Sequence, residues 1–366
     1  MIPLTKEGNV SDQVLHAPEV PLDQRLRQNN FDLLRFVFAF VVFLVHAHAL
    51  SGAQELSVFS QYLSSDIAVK SFFVVSGFLI FMSYENSGSV SRYFGKRLRR
   101  IYPAYVFVIL ASVLLGGIFG SHGLSEYLSL PVLKYVAANL LFLNFLQPDL
   151  PGLFQGNSLH AVNGALWTLK IEAMFYVMVP LVGIAFAKLG RLPVLAVLYV
   201  TSVIYSALLG TLAAQSGSGL YLELQRQLPG QLCYFVAGAA GYYYFAYLSR
   251  HAMPLIVAAV GAFMLQDWLP WGAVQPLALG VVVVYVACLF PYLGNFGKYG
   301  DFSYGIYIVH FPILQLLIAH GTFKSAPWMS LLLAVALVMI TAILLWHFIE
   351  KPFLRRSSHY VATNRG

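Results

Sequence analysis

The stretch Phe31 to Gly52, FDLLRFVFAFVVFLVHAHALSG, is long enough to cross a bilayer as a helix. It nevertheless carries Arg35 and His46 at positions where lipid favours neither. A helix turns about 100° per residue, so the step from Arg35 to His46 returns to nearly the same face, roughly 16 Å along the axis. One stripe of this helix is therefore polar. An ionisable residue inside a membrane segment is a functional-site hypothesis by default, and its partners are to be sought among the other polar residues within apolar runs. His48 points away from this stripe and reads as a packing residue that hydrogen-bonds a neighbouring helix.

Comparable apolar runs recur through the chain, near 31–50, 66–84, 101–120, 166–187, 192–214, 229–248, 252–267, 271–291, 299–320 and 327–349. The sequence is 59% hydrophobic and only 10% charged, against about 25% charged for an average soluble domain. The expected fold is an all-α polytopic membrane helix bundle. The net charge of +7 raises nucleic acid as a partner. The basic residues sit mostly in short loops between apolar runs, however, which is a membrane-orientation pattern, so membrane lipids and not nucleic acid are expected. An eleventh run, 132–147, is short and ends in Gln-Pro-Asp. If it does not cross, Arg92, Lys96, Arg97, Arg99, Arg100, Lys188, Arg191, Arg250, Lys298, Lys351, Arg355, Arg356 and Arg365 collect on one side and few positive charges, Arg226 and Lys324 the clearest, stay on the other, as the positive-inside rule expects. About ten transmembrane helices follow, with both termini cytoplasmic and a re-entrant or interfacial element near 132–147; an eleven-span version with opposed termini is the alternative. Residues 1–30 read as a cytoplasmic N-terminal tail with no cleavable signal, 31–354 as the transmembrane domain, and 355–366 as a cytoplasmic C-terminal tail. Cys233 and Cys288 both fall in expected spans and are assigned to packing.

Several further polar residues lie within or beside these runs. Lys70 stands near the outer boundary of the second span, where it either snorkels to water or serves a site; Ser76 and Gly77 allow close approach to the backbone. The run SRYFGKRLRRIYP places five basic residues in nine positions before Pro103, which is expected to open the third span. The cluster suits an orientation signal and equally a phosphate-bearing ligand, because Arg forks bind phosphate bidentately. In GALWTLKIEAMFYVMVPL, Glu172 lies at a depth comparable with that of His46 and must be paired, protonated or facing water. Trp167 and Lys170 share a face there. Ser303, Tyr307 and His310 form a hydroxyl, phenol and imidazole stripe on one helical face, with Pro312 behind them to remove a backbone hydrogen bond. Polar packing between helices is the alternative reading of that stripe.

In this order, FDLLRFVFAFVVFLVHAH, VKSFFVVSGFLIF, RRIYPAYV, GALWTLKIEAMFYVMVPL, FSYGIYIVHFP and FIEKPF resemble the acyltransferase 3 family of bacterial membrane proteins, over residues 31–354. The resemblance is to the stand-alone form, without a C-terminal esterase-like domain. It implies transfer of an acyl group, usually acetyl, from cytoplasmic acyl-CoA to a hydroxyl on an extracytoplasmic glycan or lipid-linked oligosaccharide at the bacterial inner membrane. It further implies His46 as the catalytic residue, Arg35 as the helix partner meeting the donor, and Glu172 as the functional carboxylate. The FFVxSGFLI motif falls on Phe72 to Ile80, the RxYP motif on Arg100, Tyr102 and Pro103, and the SYxxYxxHxP motif on Ser303, Tyr304, Tyr307, His310 and Pro312. Ala173 departs from the second acidic residue that many relatives carry.

On these grounds His46 and Glu172 are expected to be catalytic, with His46 as base or transient acyl carrier and Glu172 orienting it or holding its charge. Arg35, Lys70, Arg97, Arg99, Arg100 and Tyr102 are expected to face acetyl-CoA, the donor substrate. Trp167, Lys170, Ser303, Tyr307 and His310 are expected to face the acceptor, with no metal involved. The rival class is a secondary transporter for a sugar or small polar solute, since a polar-lined bundle also describes a carrier. No inverted repeat supports it.

Overall fold

The computed structural model describes Leu26 and residues 28–354; the two tails expected at 1–30 and 355–366 lie almost wholly outside the described residues. Their regular structure is all helical, with no strand among them. The principal helices are α1 (Phe31–Ser51), α2 (Ser65–Glu85), α3 (Val90–Phe119), α4 (Leu130–Leu140), α5 (Trp167–Leu189), α6 (Arg191–Ser216), α7 (Leu228–Tyr243), α8 (Ala252–Met264), α9 (Trp271–Val284), α10 (Ser303–Ala319) and α11 (Pro327–Leu345). Two of them end in π-helical turns, α9 through Tyr285–Leu289 and α11 through Trp346–Glu350.

Every run expected to span is helical. Seven of the resulting helices are at once long and apolar enough to cross a membrane; α7, α8 and α10 are shorter. For α7 and α10 the reason is position. Eleven of the 16 residues of α7 and 13 of the 17 of α10 are buried, so these helices meet protein instead of lipid and need not match the hydrocarbon thickness.

The start of α1 and the end of α11 lie at the same end of the bundle. There Arg35 of α1 and Arg100 of α3 are ion-paired with Asp301, just before α10, and Arg100 reaches Glu350 at the end of α11 at 2.9 Å. At the same end, Tyr243 of α7 donates to Glu85 of α2 at 2.7 Å. The described residues therefore begin and end at one end of the bundle, as an even number of crossings between them requires. The 132–147 segment turns back on itself. Helix α4 runs back along α3, with Tyr105 Oη donating to the Asn139 carbonyl at 2.8 Å. The chain reverses at Phe142, whose φ is 61°, and its ring stacks on Tyr105 at 4.4 Å. It then returns to the far end, where Ser121 N donates to the Gly152 carbonyl at 3.1 Å.

One expectation is corrected here. Pro103 does not open the third span, because α3 begins at Val90 and runs 30 residues through it. The basic run is thus the first turns of a long helix. Its i, i+4, i+7, i+8 spacing puts Arg92, Lys96, Arg99 and Arg100 on one face.

Close packing fixes α2 against α7. A Cβ at Gly77 would overlap the carbonyl oxygen of Phe235, and one at Gly238 the carbonyl oxygen of Val74. The two backbones touch, as small residues permit in membrane bundles. Helix α10 packs on α1 and α11. Its Pro312 has no N–H to give the Ile308 carbonyl, yet that oxygen is satisfied by Asn163 Nδ2 at 2.8 Å. The helix therefore continues past the proline.

Candidate active site

A cavity of about 940 Å³ opens between α1, α2, α3, α5 and α10, within the usual range for small-molecule sites. It starts at the basic end beside Asn86, Arg92 and Lys96 and extends inward to Phe72, Thr168 and Tyr307. Among the described residues, six cationic side chains line it, Arg35, Arg92, Lys96, Arg97, Arg99 and Arg100, and two carboxylates, Asp32 and Glu172.

The arginines are held differently. Arg35 and Arg100 are both tied to Asp301, which is 3% exposed. Burial by itself pushes the Asp301 carboxyl up. The Arg35 and Arg100 guanidiniums, with hydrogen bonds from Ser303 N and Oγ, outweigh this and hold it below the usual carboxylate range. Arg97 donates from Nη2 to Ser83 Oγ at 2.8 Å and lies 5.9 Å from the Tyr176 ring centroid. Its buried Nε has no hydrogen-bond partner among the described residues.

At the inner limit of the cavity, Tyr307 Oη and Thr168 Oγ1 are 2.7 Å apart, and Phe72 meets the Tyr307 ring edge-on at 5.6 Å. Beyond Tyr307 lies His310, ring to ring at 5.9 Å. His310 is 0% exposed, and its Nε2 is 2.9 Å from Nδ1 of His46. The polar stripe of α1 and that of α10 thus meet as an imidazole pair, one residue deeper than the cavity wall.

Of the residues singled out in the sequence, Arg35, Arg97, Arg99, Arg100, Glu172, Ser303 and Tyr307 lie on one cavity, and His46 and His310 directly behind it. Glu172 Oε1 accepts from Tyr176 Oη at 2.6 Å, so its hydrogen bond runs along its own helix and not to His46. Tyr102 donates to the Leu140 carbonyl at 3.4 Å, on the re-entrant side. Lys70 is ion-paired with Asp66 at 2.6 Å and donates to Gln275 Oε1 at 3.2 Å. Lys170 donates to Gln227 Oε1 at 2.5 Å and lies over the Phe145 ring at 4.8 Å. Lys70, Trp167 and Lys170 sit toward the far end and do not line the cavity. His48 bonds Ser60 at 2.7 Å, away from the site.

Residues 28–347 match the family described as an acyltransferase domain. The chain belongs to the acyltransferase 3 family. This acyltransferase is 28% identical to the O-acetyl transferase of Shigella phage Sf6, in an alignment covering 91% of the chain and 98% of that protein. It is also 28% identical to nodulation protein 10 of Rhizobium leguminosarum bv. viciae, over 92% of the chain and 95% of the relative. No solved structure matches. The acyltransferase is a multi-pass membrane protein by its seven long apolar helices.

Two residues of the site carry no signal in the sequence. Asp301 sits in a loop, and its partners are on α1 and α3. Thr168 looks like an ordinary span residue until Tyr307 is seen to face it.

Proposed function

We propose that the acyltransferase moves an acetyl group from acetyl-CoA to a hydroxyl of an extracytoplasmic or lipid-linked glycan, with His46 as general base. The observation that carries the reading is the cavity itself. It is lined by six cations at one end and stops, at Tyr307, one side chain short of the His46–His310 pair. Coenzyme A is polyanionic at its nucleotide end and carries its thioester on a long narrow arm. A basic mouth with a deep inner end suits both parts. That mouth is read as facing the cytoplasm at the bacterial inner membrane, with both termini on that side, a reading the excess of Lys and Arg supports through the positive-inside rule. Arg97, with a buried Nε donor left over, and Arg99 supply phosphate contacts.

The far end of the site, toward which α1 and α10 carry His46 and His310, receives the acceptor. A sugar hydroxyl is a weak nucleophile at neutral pH. His46 takes its proton as the oxygen attacks the thioester carbon. The C–S bond then breaks, and the imidazolium returns the proton to the leaving thiolate. Such a base contributes typically 10²- to 10⁴-fold. Glu172 contributes its charge from the cavity wall, where it is hydrogen-bonded to Tyr176 and to neither histidine.

The test is acetyl transfer by purified protein in proteoliposomes. It uses labelled acetyl-CoA on the basic side and the producing cell's extracted surface glycan on the other. Labelled glycan is the expected product. Solute flux without any labelled glycan or thioester cleavage would return the protein to the transporter class.

A further inference from the structure

We infer that His310 is a positioning residue that holds His46 in the tautomer able to accept a proton. This rests on the transfer reading above and supplies the orienting partner of its base.

His310 Nδ1 is 3.2 Å from the Ile306 carbonyl oxygen, one turn back on α10. A carbonyl oxygen can only accept, so this contact puts a hydrogen on Nδ1. In the neutral ring the other nitrogen, Nε2, is then a bare acceptor. His310 is 0% exposed, and no carboxylate among the described residues is hydrogen-bonded to either ring. The neutral ring is the form such a site can hold without a counter-charge. Nε2 faces His46 Nδ1 at 2.9 Å, so the hydrogen between the two rings belongs to His46. Its Nε2 keeps the lone pair.

The chain of hydrogen bonds therefore runs from His46 Nδ1–H to His310 Nε2, and from His310 Nδ1–H to Ile306 O. When His46 Nε2 takes the hydroxyl proton, the inter-ring bond becomes charge-assisted with no atom rearranged. The ring planes are within 18° of parallel and the centroids 5.2 Å apart, the spacing of two imidazoles meeting edge to edge through their nitrogens. His310 packs among Phe43, Tyr307 and Phe311, and a half-turn of its ring would put carbon atoms where the two hydrogen-bonding nitrogens stand. A backbone carbonyl thus sets the tautomer of one ring, and that ring sets the other. The role is the one a carboxylate plays in other base-and-orienter pairs.

The full-length protein in nanodiscs, assayed with acetyl-CoA and extracted surface glycan, tests this with His46→Ala, His310→Ala and His310→Gln. Gln places an amide oxygen near the position of Nε2 and can accept from His46. Acetyl-CoA binding, measured directly, reports whether each variant is folded, since neither histidine lines the cavity. The expected result is that His310→Ala lowers kcat by roughly 10²-fold or more with KM for acetyl-CoA unchanged. His310→Gln then restores at least about ten-fold of that loss. Turnover by His46→Ala would overturn the transfer reading together with the inference. With His46→Ala inactive, any of three outcomes removes the positioning role alone: near wild-type kcat in His310→Ala, a defect confined to KM for the glycan, or a kcat loss that Gln does not restore.

Discussion

Arg100 of α3 is ion-paired with Asp301, 201 positions further along the chain, where the carboxylate is 3% exposed. Arg35 shares the same carboxylate oxygen, and Glu350 takes the other side of Arg100. One acidic loop residue thus joins the first turn or so of α1 and the third turn of α3 to the start of α10.

Removing it leaves two half-buried guanidiniums with one carboxylate fewer, Arg35 keeping Asp32 and Arg100 keeping Glu350. Asp301→Ala is expected to cost about 1–3 kcal/mol, read as a lowered midpoint of thermal unfolding in detergent. The pH dependence has a definite sign. The folded carboxyl is held below its unfolded value, so its contribution is whole above about pH 4 and fades only as the pH falls toward the lower folded value. On a Glu350→Gln background, which removes the second carboxylate on Arg100, the gap between the parent and the Asp301→Ala variant should stay constant from about pH 8 to pH 5.

Arg99 and Arg100 separate donor binding from architecture. Both line the cavity, but Arg100 also holds Asp301 and Glu350. Arg99→Ala should raise KM for acetyl-CoA several-fold with an unchanged unfolding midpoint. Arg100→Ala should do both, raising KM and lowering the midpoint. A full KM titration beside a melting curve checks the pair.

The Ile308 carbonyl gives a double-mutant test. Its donor is Asn163 because Pro312 offers none. Asn163→Ala should therefore cost about 1–3 kcal/mol. On a Pro312→Ala background, where residue 312 regains its N–H, the same change should cost clearly less. Additive unfolding energies around the cycle would show that Asn163 does not substitute for the missing donor.

Glycine substitutions should divide by location. Gly77→Ala and Gly238→Ala force a methyl into a facing carbonyl oxygen and should lower the unfolding midpoint sharply. At Gly261, in α8, a Cβ meets nothing within 4 Å. Ala there is expected to be neutral or stabilising by up to about 1 kcal/mol.

The helices and the polar faces were legible in the sequence because both are local. An apolar run of about 20 residues announces a span, and helical periodicity aligned Arg35 with His46 and Ser303 with Tyr307 and His310. Which face meets which is decided by packing between distant segments, and periodicity is silent on it. Hence Glu172 was expected beside His46, while the structure bonds His46 to His310 and Glu172 to Tyr176. Asp301 escaped notice for the same reason. Its partners lie on helices that nothing in its own neighbourhood identifies. Pro103 misled because a proline at N1 and a proline within a long helix look alike from the sequence. In the latter case tertiary packing carries the helix through.

The contact of Gly77 with the Phe235 carbonyl, and of Gly238 with the Val74 carbonyl, makes the α2–α7 side of the cavity a fixed jaw. Backbone touching backbone leaves no compressible side chain between them, and neither helix can slide or turn without a collision. The opposite side is joined by side chains, through Arg100 to Asp301 and Tyr304 Oη to the Ile101 carbonyl at 2.9 Å. Such contacts can lengthen and re-form. The two sides of the cavity are thus held by different kinds of contact, backbone against backbone on one and reversible side-chain bonds on the other.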